Sequence, residues 1–275
     1  MMDVVDTLVR CRDEMPRVGA CLEALAVQRS PRARVLFVDN GSSDGSREIA
    51  DGMGLRILDV APGRYVPGAV LNDAMACTES DIVVFVNADA VPMHDDALTR
   101  LVEPLLADPS VCASYGRQVA TREATEQTRR DYERTFGAEP VPLRVGRFFS
   151  MAASAIRRDA WELLPFDATL RYSEDVDWTH RAGALGWRVA YVPEARFEKS
   201  REYGVLAHFR RRRGEGAADT RIHHLASPSP WRDLARPLAG SIARDARAGP
   251  SSARGVAVRV SQAAGYWAGR RFGWP

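Results

Sequence analysis

Along the first half of the chain, short apolar runs alternate with segments whose apolar residues recur at helical spacing. Val4–Val9, Arg34–Val38, Leu55–Val60 and Ile82–Val86 read as strands. Between them, Arg17–Gln28 carries Val18, Cys21, Leu22 and Leu25 on one helical face, with Pro16 suited to the first turn. Arg47–Met53 follows a Gly41–Gly45 turn in which Ser43 or Asp44 can cap the helix, and Gly68–Thr78 reads as a short helix. Asp95–Ala107 is a fourth helix whose last turn Pro104 disturbs. This alternation predicts an α/β fold, a mostly parallel sheet flanked by helices. The pattern then loosens. It predicts a strand over Val111–Ala120, a charged helix over Arg122–Phe136, a Pro/Gly-rich loop over Gly137–Gly146 and a strand over Phe149–Ile156. A helix over Glu174–Leu185, stopped by Gly186, and a strand over Arg188–Val192 follow. Beyond residue 215 strand signals vanish, Ala226–Pro230 reads as a linker, and Trp231–Ala248 and Ala253–Phe272 read as Ala/Arg-rich helices. The expected organisation is a main domain over residues 1–215 and a basic helical C-terminal extension over 216–275.

Charge adds a second division. Residues 1–200 carry 24 basic against 31 acidic side chains, and residues 201–275 carry 14 against 5. A basic tail on an acidic body points to a polyanionic partner. Nucleic acid is not expected, because no reader motif accompanies the charge. The cysteines Cys11, Cys21, Cys77 and Cys112 have no metal-ligand spacing and read as reduced thiols of a cytoplasmic protein. The N-terminal segment lacks a signal-peptide pattern, and no apolar run approaches the ~20 residues that cross a bilayer. Any membrane contact is therefore expected to be peripheral. Trp231, Leu234, Leu238, Ile242, Tyr266 and Trp267 among the C-terminal arginines suit an anionic inner-membrane surface, though helices packed back onto the main domain give the same pattern.

Three acidic strings end apolar runs and carry the candidate chemistry. Asp39 opens DNGSSDG at the end of the second strand, where it can accept a base N–H or a ribose hydroxyl, or simply brace a capping turn. Asn87 and Asp89 follow the fourth strand. Two residues apart on an extended segment, they would face one way and offer oxygens to a divalent cation, or mark an ordinary turn. Glu174, Asp175 and Asp177 begin a helix, where clustered carboxylates raise one another's pKa and suit a general base, or merely favour the helix macrodipole.

Taken in order, RCRDE (10–14), VDNGSSDGS (38–46), PGAVLNDAM (67–75), NADA (87–90), SEDVDW (173–178) and GWRVAYVPEA (186–195) resemble family-2 glycosyltransferases over roughly residues 5–215. The wording of PGAVLNDAM and NADA is similar to bacterial rhamnosyltransferase-like members. The resemblance implies a GT-A type nucleotide-diphospho-sugar transferase fold for residues 1–215. It also implies inverting transfer of a sugar to an acceptor hydroxyl in polysaccharide, glycolipid or secondary-metabolite assembly, the acceptor in some relatives being lipid-linked. It assigns Arg10, Arg12, Asp13, Asp39 and Asn72 to donor binding, Asn87 to ribose or metal, and Asp89 to Mg2+ or Mn2+ at the diphosphate. Asp175 matches the catalytic base, with Glu174 orienting the acceptor or supporting that base.

The chain departs from the family pattern twice. Asn87 removes a charge from the usual acidic triplet, and Lys199 stands where many relatives carry a histidine. A protonated lysine does not ligate a metal but neutralises diphosphate directly, and the Arg210–Arg213 run is a candidate to assist it. Two other readings fit part of the pattern. A nucleotidyltransferase on a related fold would need a Gly-rich basic loop, which Arg10–Glu14 lacks; a non-catalytic nucleotide-sugar-binding subunit would lack the base, which Asp175 supplies.

Overall fold

The computed structural model describes residues 3–61, 63, 65–139, 148–199, 201–249 and 252–274. The elements run β1 (Val4–Cys11), α1 (Arg17–Ala26), β2 (Arg32–Asp39), α2 (Ser46–Gly52), β3 (Arg56–Asp59), α3 (Pro67–Ala76), β4 (Ile82–Asn87) and β5 (Val91–Pro92). They continue with α4 (Ala97–Ala107), β6 (Val111–Val119), α5 (Glu126–Thr135), β7 (Ala153–Arg157), α6 (Arg158–Leu163), α7 (Glu174–Ala184) and β8 (Arg188–Glu198). Last come α8 (Val205–Ile222), a π-helical turn over Trp231–Ala235, α9 (Arg236–Ala248) and α10 (Ala253–Phe272). From Pro140 onward, the loop expected over Gly137–Gly146 lies outside the described residues.

The strands form one sheet in the order β3-β2-β1-β4-β7-β6-β8-β5. The first four are mutually parallel, as the strand–helix alternation predicts; β7 runs antiparallel to β4 and β6, and β5 antiparallel to β8. Alternation along each strand sorts side chains between two cores. Val5 and Val9 of β1 and Val84 and Val86 of β4 join Leu22 and Leu25 of α1 and Leu98 and Leu101 of α4. Leu8, Val83 and Phe85 face the other way, against Leu71 and Met75 of α3 and Trp178 of α7. Arg10 and Asn87 continue this second face at the C-terminal ends of β1 and β4, where they are register partners. Asp39 follows Phe37 and so belongs to the first face.

β8 is longer than its sequence suggests. Pro193 interrupts the expected run at Val192, but the strand bulges: Gly116 pairs Val192 and Arg117 pairs Arg196. A Cβ on Gly116 would sit 2.5 Å from the Ala195 carbonyl oxygen, so only glycine admits that approach. Beyond the bulge β8 pairs with Val91 and Pro92 of β5, which brings Lys199 alongside the Asn87–Ala90 turn.

The chain divides into two compact units, and the division differs from the expected one at residue 215. One comprises Met1–Ala124, Thr128–Thr169 and Glu174–Ser200; the other comprises Thr125–Gln127, Leu170–Ser173 and Arg201–Pro275. The reason is local: α8 runs unbroken through residue 215, and a regular helix offers no boundary. Within the second unit α10 lies close on α8. A Cβ on Gly269 would fall 1.9 Å from the Arg213 carbonyl oxygen. Buried pairs join Arg259 to Asp245 at 2.7 Å and Arg270 to Asp233 at 2.5 Å. Trp231 is 70% exposed, and α9 has no buried residue. Arg232, Arg236 and Arg244 line a shallow cleft on this surface with Pro237 and Gly240. Of the Arg210–Arg213 run, Arg211 and Arg212 pair with Glu215, and Arg213 donates to the Gly273 carbonyl. None of the described helices is long and apolar enough to cross a membrane.

Candidate active site

The site grows from the register pair Arg10–Asn87. Neighbouring parallel strands place the two side chains on one face, and Arg10 Nη2 donates to Asn87 Oδ1 at 3.2 Å. Its other arm, Nη1, reaches Glu174 Oε1 at 3.2 Å, tying the first turn of α7 to the strand ends. Burial opposes the guanidinium's charge, but Tyr65, Glu174 and Asp175 more than offset it, and Arg10 stays firmly cationic.

Asp175 sits beside this pair. Its carboxylate accepts the Val176 N–H at 2.9 Å and the Met151 N–H at 3.4 Å. Burial pushes its pKa up first, and the Glu174 carboxylate adds to it; the two N–H groups and Arg10 pull the other way, and the balance is about 7. A carboxyl that exchanges its proton near neutrality suits a general base. Asp177 does not join the cluster; it pairs with Arg181 one helical turn on, at 2.7 Å.

The second half of the site is the turn after β4. Ala90 N–H closes it onto the Asn87 carbonyl at 2.8 Å. This corrects the expectation of an extended segment with Asn87 and Asp89 side by side: the turn ends strand alternation, and the two side chains take different partners. Asp89, buried, accepts from Lys199 Nζ, while Asn87 belongs to Arg10. Two residues missed in the sequence support the turn. Arg17 donates from Nε to the Asp89 carbonyl at 3.3 Å and from Nη2 to the Glu198 carboxylate at 2.8 Å, clasping the turn to the end of β8. The Cys21 thiol donates to the Ala90 carbonyl, and burial pushes its pKa up to about 12, so it remains a neutral packing group. Arginine in the first turn of the first helix carried no signal that separates this clasp from a solvated side chain.

The remaining expected donor residues are placed differently. Asp39 is buried and accepts the N–H groups of Gly41 and Ser42, at 3.1 Å each, so its carboxylate braces its own loop. Asp13 accepts the Ser43 N–H at 2.7 Å, and its own N–H donates to Ser42 Oγ at 3.1 Å. With the Glu14 N–H on Ser46 Oγ and the Met15 N–H on Asp44 Oδ2, these bonds zip the loop after β1 to the loop after β2. Arg12 is exposed, with no hydrogen bond or ion pair among the described residues. Asn72 is engaged within the fold: its Nδ2 donates to the Phe166 carbonyl, and its Oδ1 accepts from Trp161 Nε1 and the Phe166 N–H. That bracket fastens α3 to α6 and the segment behind it.

Residues 7–164 match the family described as glycosyl transferase family 2. The chain belongs to that family. It is a glycosyltransferase. Among similar proteins, the O-antigen chain rhamnosyltransferase WbaN of Salmonella anatum is 27% identical over 77% of this chain and 69% of its own. The O-antigen chain rhamnosyltransferase RfbN of Salmonella typhimurium is 26% identical over 78% and 70%. The structure of the mannosyltransferase PcManGT from Pyrobaculum calidifontis, in complex with GDP-Man and Mn2+, superposes with a TM-score of 0.66 at 20% identity, covering 97% of this chain and 85% of that one. That likeness establishes the GT-A type fold.

Among the described residues no three His, Cys, Asp or Glu side chains gather as a cage. A magnesium-type ion asks less, since one carboxylate with substrate phosphates and water suffices. The Asp89 carboxylate alone answers to that lesser demand, with Lys199 sharing it and the Asn87 side-chain oxygen held by Arg10.

Proposed function

We propose that this glycosyltransferase moves a sugar, with inversion, from a nucleotide-diphospho-sugar to an acceptor hydroxyl in bacterial cell-envelope polysaccharide or glycolipid assembly. The observation that carries the reading is the Asp175 carboxyl, held near neutrality next to Arg10, Glu174 and Asn87 where the parallel strands end. Open α/β sheets bind ligands at that end. Asp175 accepts the proton of the acceptor hydroxyl as its oxygen bonds to the anomeric carbon, and the sugar–diphosphate bond breaks with its electron pair leaving on the diphosphate. Glu174, fixed by Arg10, sets its carboxylate beside Asp175 and so raises the basicity of Asp175. Asp89, joined by Asn87 where it releases Arg10, would hold Mg2+ or Mn2+, which when bound supplies Lewis-acid charge to the departing diphosphate. Arg12 is free to meet the donor.

The rhamnosyltransferase relatives support an envelope acceptor, and the exposed Trp231 and Arg-lined surface of the second unit support a peripheral position on the cytoplasmic face of the membrane. The test is a panel of UDP-, GDP- and dTDP-sugars assayed for nucleotide release, with the product's anomeric configuration read by NMR. One donor class should be turned over with inverted configuration. Retained configuration, or no binding of any nucleotide sugar, overturns the reading.

A further inference from the structure

The chain holds a single lysine against 37 arginines, and that lysine is on Asp89. Its side chain is 12% exposed and that of Asp89 5%, so both charges are largely withdrawn from water and compensate each other. The strand bulge in β8, the pairing of β8 with β5 and the Arg17 clasp all serve to bring these two residues together. Arginine and lysine differ in what they do in such a place. A guanidinium locks onto a carboxylate with a rigid fork, whereas an ammonium on a flexible stem is a point charge that turns from one oxygen to another.

We propose that Lys199 is a built-in cation for the donor diphosphate, exchanging Asp89 for phosphate oxygens when the donor binds. The inference rests on the nucleotide-sugar reading above and goes beyond it. Two consequences follow from charge. Before the donor arrives, the Asp89–Lys199 pair is neutral, and a divalent ion must displace the ammonium from the one carboxylate it needs. The nucleotide-free protein therefore binds metal weakly. Once the diphosphate draws Lys199 away, Asp89 is released, so donor and metal bind in that order, and donor binding itself needs no metal.

Calorimetric titration of UDP, GDP and dTDP and their monophosphates, in EDTA and in Mn2+, tests this on the full chain. At least one diphosphate should bind the wild type in EDTA. Lys199→Met should weaken that diphosphate roughly 10- to 100-fold in EDTA and leave the matching monophosphate within about 3-fold, the loss of one charge-assisted contact. Titration of Mn2+ into nucleotide-free protein, followed by its paramagnetic resonance, should show tighter binding to Lys199→Met than to wild type. Because Lys199→Met leaves Asp89 buried and unpaired, Lys199→Met with Asp89→Asn serves as the folded control, and it too should lose diphosphate affinity in EDTA. Diphosphate that binds wild type only with Mn2+, or binds both variants as well as wild type in EDTA, overturns the role of Lys199 while leaving the nucleotide-sugar reading intact. Failure of every nucleotide in both conditions overturns both.

Discussion

The two ends of strand β1 hold buried acids in opposite conditions. Near its start, Asp6 accepts two bonds from Arg34, at 2.5 and 2.9 Å, and the N–H groups of Glu79 and Ser80, at 2.6 and 2.8 Å. Burial would raise its pKa, but these partners together hold it far below the usual carboxylate range. Four residues along the same face, Arg10 reaches toward a pair of acids and satisfies only Glu174. Asp175 is left with two backbone N–H groups, one of them long, and its pKa stands at about 7. One fold thus ties down a carboxylate where strands begin and leaves one reactive where they end. The first condition fastens the β4 entry to the sheet; the second is what proton transfer requires.

Exchanging each acid for its amide is the strongest way to break this comparison. Asp175→Asn removes the proposed base and should lower transfer by about 10³-fold, with nucleotide affinity and thermal stability unimpaired. The amide also relieves the buried charge, so its melting temperature above pH 7 should equal or exceed that of the wild type. Transfer at wild-type rate would remove Asp175 from the mechanism. Asp6→Asn should do the reverse, lowering stability by about 3 kcal/mol through loss of one partner of a buried charged network, while the folded fraction keeps its kcat. Denaturant titration beside initial rates separates the two outcomes.

The difference between the ends also sets how far the site was legible. Strand and helix alternation through residue 107 is local, and the observed elements match the expected ones within a few residues. The acids at strand ends stood out because they interrupt apolar runs. Pairing is not local. That Arg10 faces Asn87 depends on the register of strands separated by three crossovers, and no spacing in the sequence encodes it. Pro193 hid the true length of β8, since a bulge is invisible to periodicity. Asn72 shows the converse: its place in a motif gave no sign of the bracket that its amide closes to Trp161 and Phe166. The bonds from the Gly41 and Ser42 N–H groups to the Asp39 carboxylate were among the readings its turn allowed.

A pH series sharpens the comparison, because the two acids act on stability with opposite sign. Asp6 is depressed, so it contributes stability that is present above its unfolded value of 3.8 and lost as pH falls below it. Asp175 is raised: between about 4 and 7 the folded state keeps a proton that the unfolded chain has released, so rising pH removes stability across that window. Transfer follows the second group alone. It should climb with pH through about 7 and then level, as the base form fills. Thermal unfolding from pH 2 to 9 should show a stability rise on the acid side that Asp6→Asn diminishes, Asp44, Asp108, Glu215 and Asp233 being depressed as well, and a decline toward neutrality that Asp175→Asn diminishes. A rate profile already flat between pH 5 and 7 would show that Asp175 is ionised there.

The smallest expected effect probes the same end of the sheet through a residue that touches no reacting atom. Arg17 positions the Asp89 turn by clasping it to Glu198, and its side chain and that of Glu198 are 27% and 37% exposed. Partial exposure limits what the pair adds to stability to about 1 kcal/mol or less. Arg17→Ala should therefore leave the melting temperature almost unchanged. Its effect should fall on the donor, because a loosened turn lets Asp89 and Lys199 drift from the geometry they share. The expected result is a donor KM raised about 3- to 10-fold with kcat near wild type, the pattern of lost uniform binding. A fall in kcat with KM unchanged would move Arg17 from positioning the donor turn to stabilising the transition state. The division of labour between the Asp89 turn and the Asp175 cluster would then have to be redrawn.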